Sequence, residues 1–209
     1  RRLPYVEEWT LMEKLTRERE VLGFYCSDHP LTRYRREVDA FTTTSIAEAK
    51  NMRDGRRVVI AGIVGSRRVI IGRDGRKIAF VQVEDMTGQI EVIFFDELFR
   101  AGQERLVSGT LILVTGTVSR RNDDQPKIRA SDFIELERAI EELTEAIEVD
   151  IDPDRMNADG LEVLKGVLES NPGRVPVSFI VHSQKVGAVV LQIPKASVKP
   201  TREVVTMLD

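Results

Sequence analysis

At 209 residues, 42% hydrophobic and 31% charged, the sequence has the composition of a folded chain with room for more than one domain but not for a large multidomain enzyme. Its 31 Lys and Arg against 34 Asp and Glu leave a formal net charge of -3, which excludes a uniformly cationic sleeve for a polyanion. One cysteine, Cys26, and two histidines, His29 and His182, exclude an internal disulfide framework and leave no metal cluster at recognisable spacing.

A reducing compartment fits the single thiol most simply. No run of 18 apolar residues or basic-plus-apolar leader points to a membrane span or to export. The first residue is Arg1 rather than methionine, and the chain reads as a piece of something longer.

Glu7 to Leu22 has the spacing of an amphipathic helix, with Leu11, Leu15 and Leu22 on one stripe and Gly23 suited to end it. His29 before Pro30 predicts an ordered turn. Cys26 and His29, three apart with no third group to orient them, read as structural rather than catalytic. Ser45-Ile46-Ala47-Glu48 is a capping-box pattern opening a short second helix that ends near Gly55. Residues 1–55 thus form a helical lead-in.

Residues 56–136 predict a closed barrel. Strands are expected at Arg56 to Val64, with Gly62 where the first strand bends, at Ile78 to Glu84, Gln89 to Phe95, Thr110 to Val118 and Lys127 to Leu136. A turn at Asp85-Met86-Thr87-Gly88 joins the second and third, and a short helix capped by Asp96 precedes the fourth. Five strands with a helix between the third and fourth describe a five-stranded Greek-key barrel of the OB type, a fold often used for oligonucleotides. The whole chain is then mainly β with an α+β tail.

Alternation puts Ala79, Val81, Val83, Ile90, Val92 and Phe94 inside, and Phe80, Gln82, Glu91, Ile93 and Phe95 outside. Phe80 and Phe95 are therefore candidates for stacking on bases, or for packing against a neighbouring domain. Arg67 and Arg68, Arg76 and Lys77, and Arg120, Arg121 and Lys127 sit at the loops that flank the binding sheet in this fold. They are candidate phosphate contacts, or ordinary solvated turns. Arg56 to Ile134 holds 13 basic and 10 acidic residues, whereas Glu135 to Asp209 holds 8 and 14, so nucleic acid should prefer the barrel. Glu84, Asp85 and Glu91 lack the convergent partners that two-metal phosphoryl transfer needs, and Asp85 reads as a turn former.

Residues 137–209 predict a small βαββα unit. Its helix is Asp159 to Leu168, with an Asp159/Glu162 capping pair, and Asn171-Pro172-Gly173 stops it as a turn. A strand at Ala146 to Ile151 precedes the helix, and two follow it at Val175 to His182 and Lys185 to Ile193, with Pro194 and Pro200 interrupting further sheet. Val198 starts a last short strand, and Thr201 to Leu208 a terminal helix.

Several runs carry a resemblance. Leu22-Gly23-Phe24-Tyr25 followed by Ser27-Asp28-His29-Pro30-Leu31, then Glu84-Asp85-Met86-Thr87-Gly88-Gln89-Ile90-Glu91-Val92 and Asn171-Pro172-Gly173, resemble the C-terminal region of the alpha subunit of bacterial DNA polymerase III, a C-family replicative polymerase. Asp28 stands where that family usually has glycine. The Glu84 to Gly88 run is also similar to anticodon-binding barrels of class II aminoacyl-tRNA synthetases.

The polymerase resemblance implies a noncatalytic part of a DNA-directed DNA polymerase, with the polymerising carboxylates and their Mg2+ upstream of Arg1 and no cofactor in this stretch. It implies that the barrel guides single-stranded template DNA, that the tail contacts the clamp-loader subunit tau, and that the sliding clamp is engaged through upstream sequence. The setting it implies is the cytoplasmic bacterial replisome. Two alternatives stay open: a protein-interaction module of the replisome with little DNA binding, and an RNA-binding barrel of synthetase type.

Overall fold

The computed structural model describes Trp9, Lys14, Arg17, Glu18, Val21 and residues 28–120, 125–154, 156–183 and 187–208. The expected leucine stripe at Leu11, Leu15 and Leu22, with Gly23 and Cys26, lies outside the described residues. The chain divides into two units between Glu137 and Arg138.

In the first unit, His29 caps a 3-10 turn over Pro30–Tyr34, its Nδ1 accepting from the Leu31 amide at 3.2 Å. Helix α1 follows at Arg35–Phe41 and α2 at Ile46–Ala49. The capping box forms as its residues dictate: the Ser45 hydroxyl accepts from the Glu48 amide at 3.3 Å, and Glu48 accepts from the Ser45 amide at 2.9 Å. That amide, then the Ser45 and Thr44 hydroxyls, hold the Glu48 carboxyl below its ordinary range. Helix α2 stops at Ala49, well short of Gly55, and a turn carries the chain onward.

Such a short helix needs an external anchor, and the Asp85 turn provides it. Asp85 accepts from the Thr87 amide at 2.7 Å and the Gly88 amide at 3.0 Å with one oxygen, and from the Ile46 amide at 2.8 Å with the other. Thr87 Oγ1 accepts from Ala47 at 3.0 Å. Asp85 thus ties a hairpin to a helix N-terminus. Asp85→Ala is expected to lower stability by about 1–3 kcal/mol, because several amides lose their acceptor together; urea unfolding of the two proteins measures it.

Strands β1 (Arg57–Ile71), β2 (Lys77–Asp85), β3 (Gly88–Phe95), β4 (Leu111–Ser119) and β5 (Lys127–Glu135) close a barrel in the order β1-β2-β3-β5-β4. Helix α3 (Asp96–Gly102) lies between β3 and β4, with Phe95 as its cap residue and Asp96 in its first turn. Ala79, Val81, Val83, Ile90, Val92 and Phe94 all face the core, as alternation requires. Phe94 meets Phe133 edge-on, with ring centres 5.2 Å apart.

Gly62 earns its place by crowding. A Cβ there would fall 2.3 Å from Val83 Cγ1 and 2.8 Å from the Glu84 carbonyl oxygen, so β1 curves across β2 where no larger residue fits.

Strand β1 departs from expectation. It runs on past Val64 to Ile71, because β2 continues to pair with it as far as Ile71 opposite Lys77. A bulge between Val64 and Arg67 accommodates the change of direction.

The second unit has α4 (Ala139–Leu143), β6 (Ile147–Ile151), α5 (Ala158–Ser170), β7 (Pro172–Ser183), β8 (Gly187–Val198) and α6 (Arg202–Met207), with sheet order β6-β7-β8. Val149, Ile151, Val177, Phe179, Val198 and Val204 form its core. Three details differ from the sequence reading. Asn157 rather than Asp159 caps α5, accepting from the Gly160 amide at 2.8 Å. Pro172-Gly173 begins β7 instead of making a free turn, and β8 passes through Pro194 to Val198. The β7-β8 register shifts between Pro172 and Val175 and again between Pro176 and Ser178, so the ladder is irregular where these prolines lie.

Candidate nucleic-acid interface

Three rows of outward side chains cross the barrel wall perpendicular to its strands, each set by backbone register. The central row is Arg68, Phe80, Ile93, Arg129 and Thr117, on β1, β2, β3, β5 and β4 in turn. On one side lie Gln82, Glu91, Lys127 and Ser119; on the other lie Ile70, Ile78 and Phe95. At about 4.8 Å between neighbouring strands, the central row spans about 19 Å.

Two aromatic rings stand on this wall, and each has cations beside it. The Arg68 guanidinium lies 4.7 Å from the centre of the half-buried Phe80 ring, and Lys127 Nζ lies 5.7 Å from it. Arg129 lies 5.2 Å from the centre of Phe95, which is 40% exposed. Lys127 also pairs with Glu91 at 2.7 Å across β3 and β5. A guanidinium over a ring can cover a stacked base or reach for its phosphate.

The residues named from sequence separate into groups. Arg68, Phe80 and Lys127 come together, and Phe95 and Arg120 share a groove of about 420 Å³ with Arg129 and the hydroxyls of Thr117, Ser119 and Ser131. Arg120 is held there by two bonds: its amide donates to Asp54 at 2.7 Å, and its guanidinium donates to the Lys50 carbonyl.

Arg67 goes elsewhere. It donates to the Gln103 carbonyl at 2.7 Å and lies 5.7 Å from the Phe99 ring, at the α3 end of the barrel. Arg76 pairs with Asp74 at 3.4 Å at the tip of the β1-β2 hairpin. The Lys77 amide donates to Asp96 at 2.8 Å, a bond that with Arg100 keeps the Asp96 carboxyl below its usual range. Arg121 lies outside the described residues.

Arg129 was not among the sequence candidates, nor was Ile93 between the rings. The signal for Arg129 was present in the alternation of β5, where buried Ile128 and Ala130 flank it.

Among the described residues, no group of three or more His, Cys, Asp or Glu could hold a metal ion, and no helix is long and apolar enough to cross a membrane. His182 is exposed on β7 and lies 2.8 Å from Asp150. In the second unit, Leu161, Leu164, Leu168, Phe179, Leu191 and Ile193 line an apolar groove of about 650 Å³ between α5 and the sheet.

Residues 58–136 match a family model described as an OB-fold nucleic acid binding domain. The DNA polymerase III subunit alpha of Pseudomonas aeruginosa is 34% identical over 177 residues, which is 83% of this chain and 15% of that protein. The corresponding subunit of Haemophilus influenzae is 26% identical across 98% of this chain and 18% of that protein. The chain therefore spans less than a fifth of these curated relatives. Among solved structures, the SSB domain of a Synechococcus protein aligns at 10% identity with a TM-score of 0.35, over 39% of this chain and 94% of that one.

Proposed function

From an OB-fold region homologous to the C-terminal part of the bacterial DNA polymerase III alpha subunit, we propose that this chain is a noncatalytic part of a DNA-directed DNA polymerase whose barrel guides single-stranded template. The observation that carries the reading is the pairing of two outward rings with Arg68, Lys127 and Arg129 on one wall. Polymerisation and its Mg2+ belong, on this reading, to sequence outside the chain.

Phe80 and Phe95 take bases, Arg68, Arg120 and Arg129 meet phosphates, and Lys127, paired with Glu91, contacts the nucleotide beside Phe80 rather than the backbone. Arg67, Arg76 and Lys77 remain candidates at the edges of the strand's path, and Arg121 beside Arg120 in the following loop. Titration of a fluorescently labelled single strand tests this. With three or four phosphate contacts, the log of affinity should fall against the log of salt with a slope of about -2 to -3, since each contact contributes about 0.7 on single strands. Arg129→Gln should flatten that slope by about 0.7. Absence of binding even at low salt would count against the reading.

A second reading rests on a separate observation, the apolar groove of the tail. There the tail engages a replisome protein such as the clamp-loader tau subunit, and the sliding clamp is met through other sequence. Retention of tau by the chain, lost when Leu164 and Leu191 are replaced by aspartate, would support it.

A further inference from the structure

The wall contains one feature that stacking and phosphate contacts do not use. Beside Phe80, at the end of the wall nearest the Asp85 turn, a pocket of about 300 Å³ is lined by Lys50, Gln82, Gln89, Glu91, Gln125 and Lys127. Gln82 stands opposite Glu91, and Glu91 opposite Lys127. Gln82 follows Phe80 by two residues on the same face of β2, about 7 Å along the strand. Lys127 joins the two places, with its ammonium 5.7 Å from the Phe80 ring centre and 2.7 Å from Glu91.

A phosphate site would not be built this way, because a carboxylate at its centre repels the anion. Nor does stability explain the pair well: the Lys127 and Glu91 side chains are 38% and 20% exposed, and an ion pair so placed contributes little to folding. Amides and a carboxylate facing the edge of a stacked ring are instead the groups that read bases by hydrogen bonding.

We infer that this pocket reads the edge of the base stacked on Phe80 and favours guanine over thymine, an inference that rests on the single-strand reading of the wall. The ammonium of Lys127 only donates, and the carboxylate of Glu91 only accepts. Glu91 Oε1 is buried against Lys127, which leaves Oε2 as the acceptor presented beside the ammonium. Guanine's pairing edge is the complement: O6 accepts, and N1-H and the N2 amino group donate. Thymine's edge offers an acceptor, one donor and a second acceptor, so its O2 meets a carboxylate oxygen. Cytosine and adenine each bring one amino donor and fall between.

The test compares an eight-residue thymidine strand with the same strand carrying one central guanine, by anisotropy at low salt. The guanine strand is expected to bind at least fivefold tighter. Replacing that guanine by inosine, which keeps O6 and N1-H but lacks the amino group, should remove most of the gain without altering the protein. Glu91→Gln should bring the ratio between the two strands close to one, with an unchanged backbone amide spectrum showing that the barrel is intact.

Equal binding of the two strands by the unaltered protein, or a gain that inosine retains in full and Glu91→Gln leaves in place, overturns the inference while the wall still binds DNA. Failure of both strands to bind overturns the single-strand reading, and the base-reading pocket with it.

Discussion

Phe94→Ala is expected to lower the stability of the barrel by about 3–5 kcal/mol, the range for emptying a buried aromatic site. Phe94 is wholly buried and braces Phe133, which is covered on another side by Arg105 at 4.7 Å from its ring centre. Phe133 also lies where a Cβ on Gly102 would fall, 2.2 Å from its Cζ, so α3 packs directly on the ring. Removing Phe94 therefore loosens β3, β5 and α3 together. For a domain of this size, the loss corresponds to a drop in Tm of about 12 °C or more. Because the chain holds two units, the readout should report the barrel alone, and hydrogen exchange at the Val81 and Val92 amides does so.

Replacing Phe80 and Phe95 by alanine is expected to weaken single-strand binding by about fivefold or more for each ring, since a base-aromatic stack contributes about 1–3 kcal/mol. Neither ring belongs to the barrel core, so folding should be nearly unaffected. Phe80 faces Ile93, and Phe95 lies two residues further along β3, a diagonal separation of about 7–8 Å that suits separate bases. The two losses should therefore combine nearly additively in free energy. Unchanged affinity in both variants, alongside a weakening from Arg129→Gln, would mean that the wall holds only the phosphate backbone. Binding of a protein partner that falls with the rings while DNA binding does not would favour the interaction-module reading.

Much of the barrel was legible because its core obeys a period of two. Ala79, Val81 and Val83 against Ile90, Val92 and Phe94 define a hairpin face that hardly any other arrangement would bury. Ser45 with Glu48, and Asp85 through Gly88, announced local hydrogen bonds that the structure makes. The far half of β1 was not legible, because Ser66-Arg67-Arg68 looks like a charged loop; pairing with β2 keeps it extended where no core is available.

Cations near strand ends look like loop residues in the sequence, and register alone separates those that reach the wall from those that do not. Arg67 and Arg68 are neighbours in sequence, yet one meets Gln103 and the other lies over Phe80. Arg129, in mid-strand, escaped notice although its parity matched the outward rings. In the tail, prolines were read as stops, but a three-stranded sheet whose register shifts can carry them.

The bulge in β1 acts as a parity switch. Val64 faces Val83 and Arg67 faces Val81, so one extra residue is accommodated among Gly65 and Ser66. Without the bulge, regular pairing onward from Val64 would set Arg67 opposite Phe80 and Arg68 opposite Ala79, turning the Arg68 side chain toward the core. One strand thereby serves the interior on its near side of the bulge and the outer wall on its far side, with a single surplus residue making the exchange.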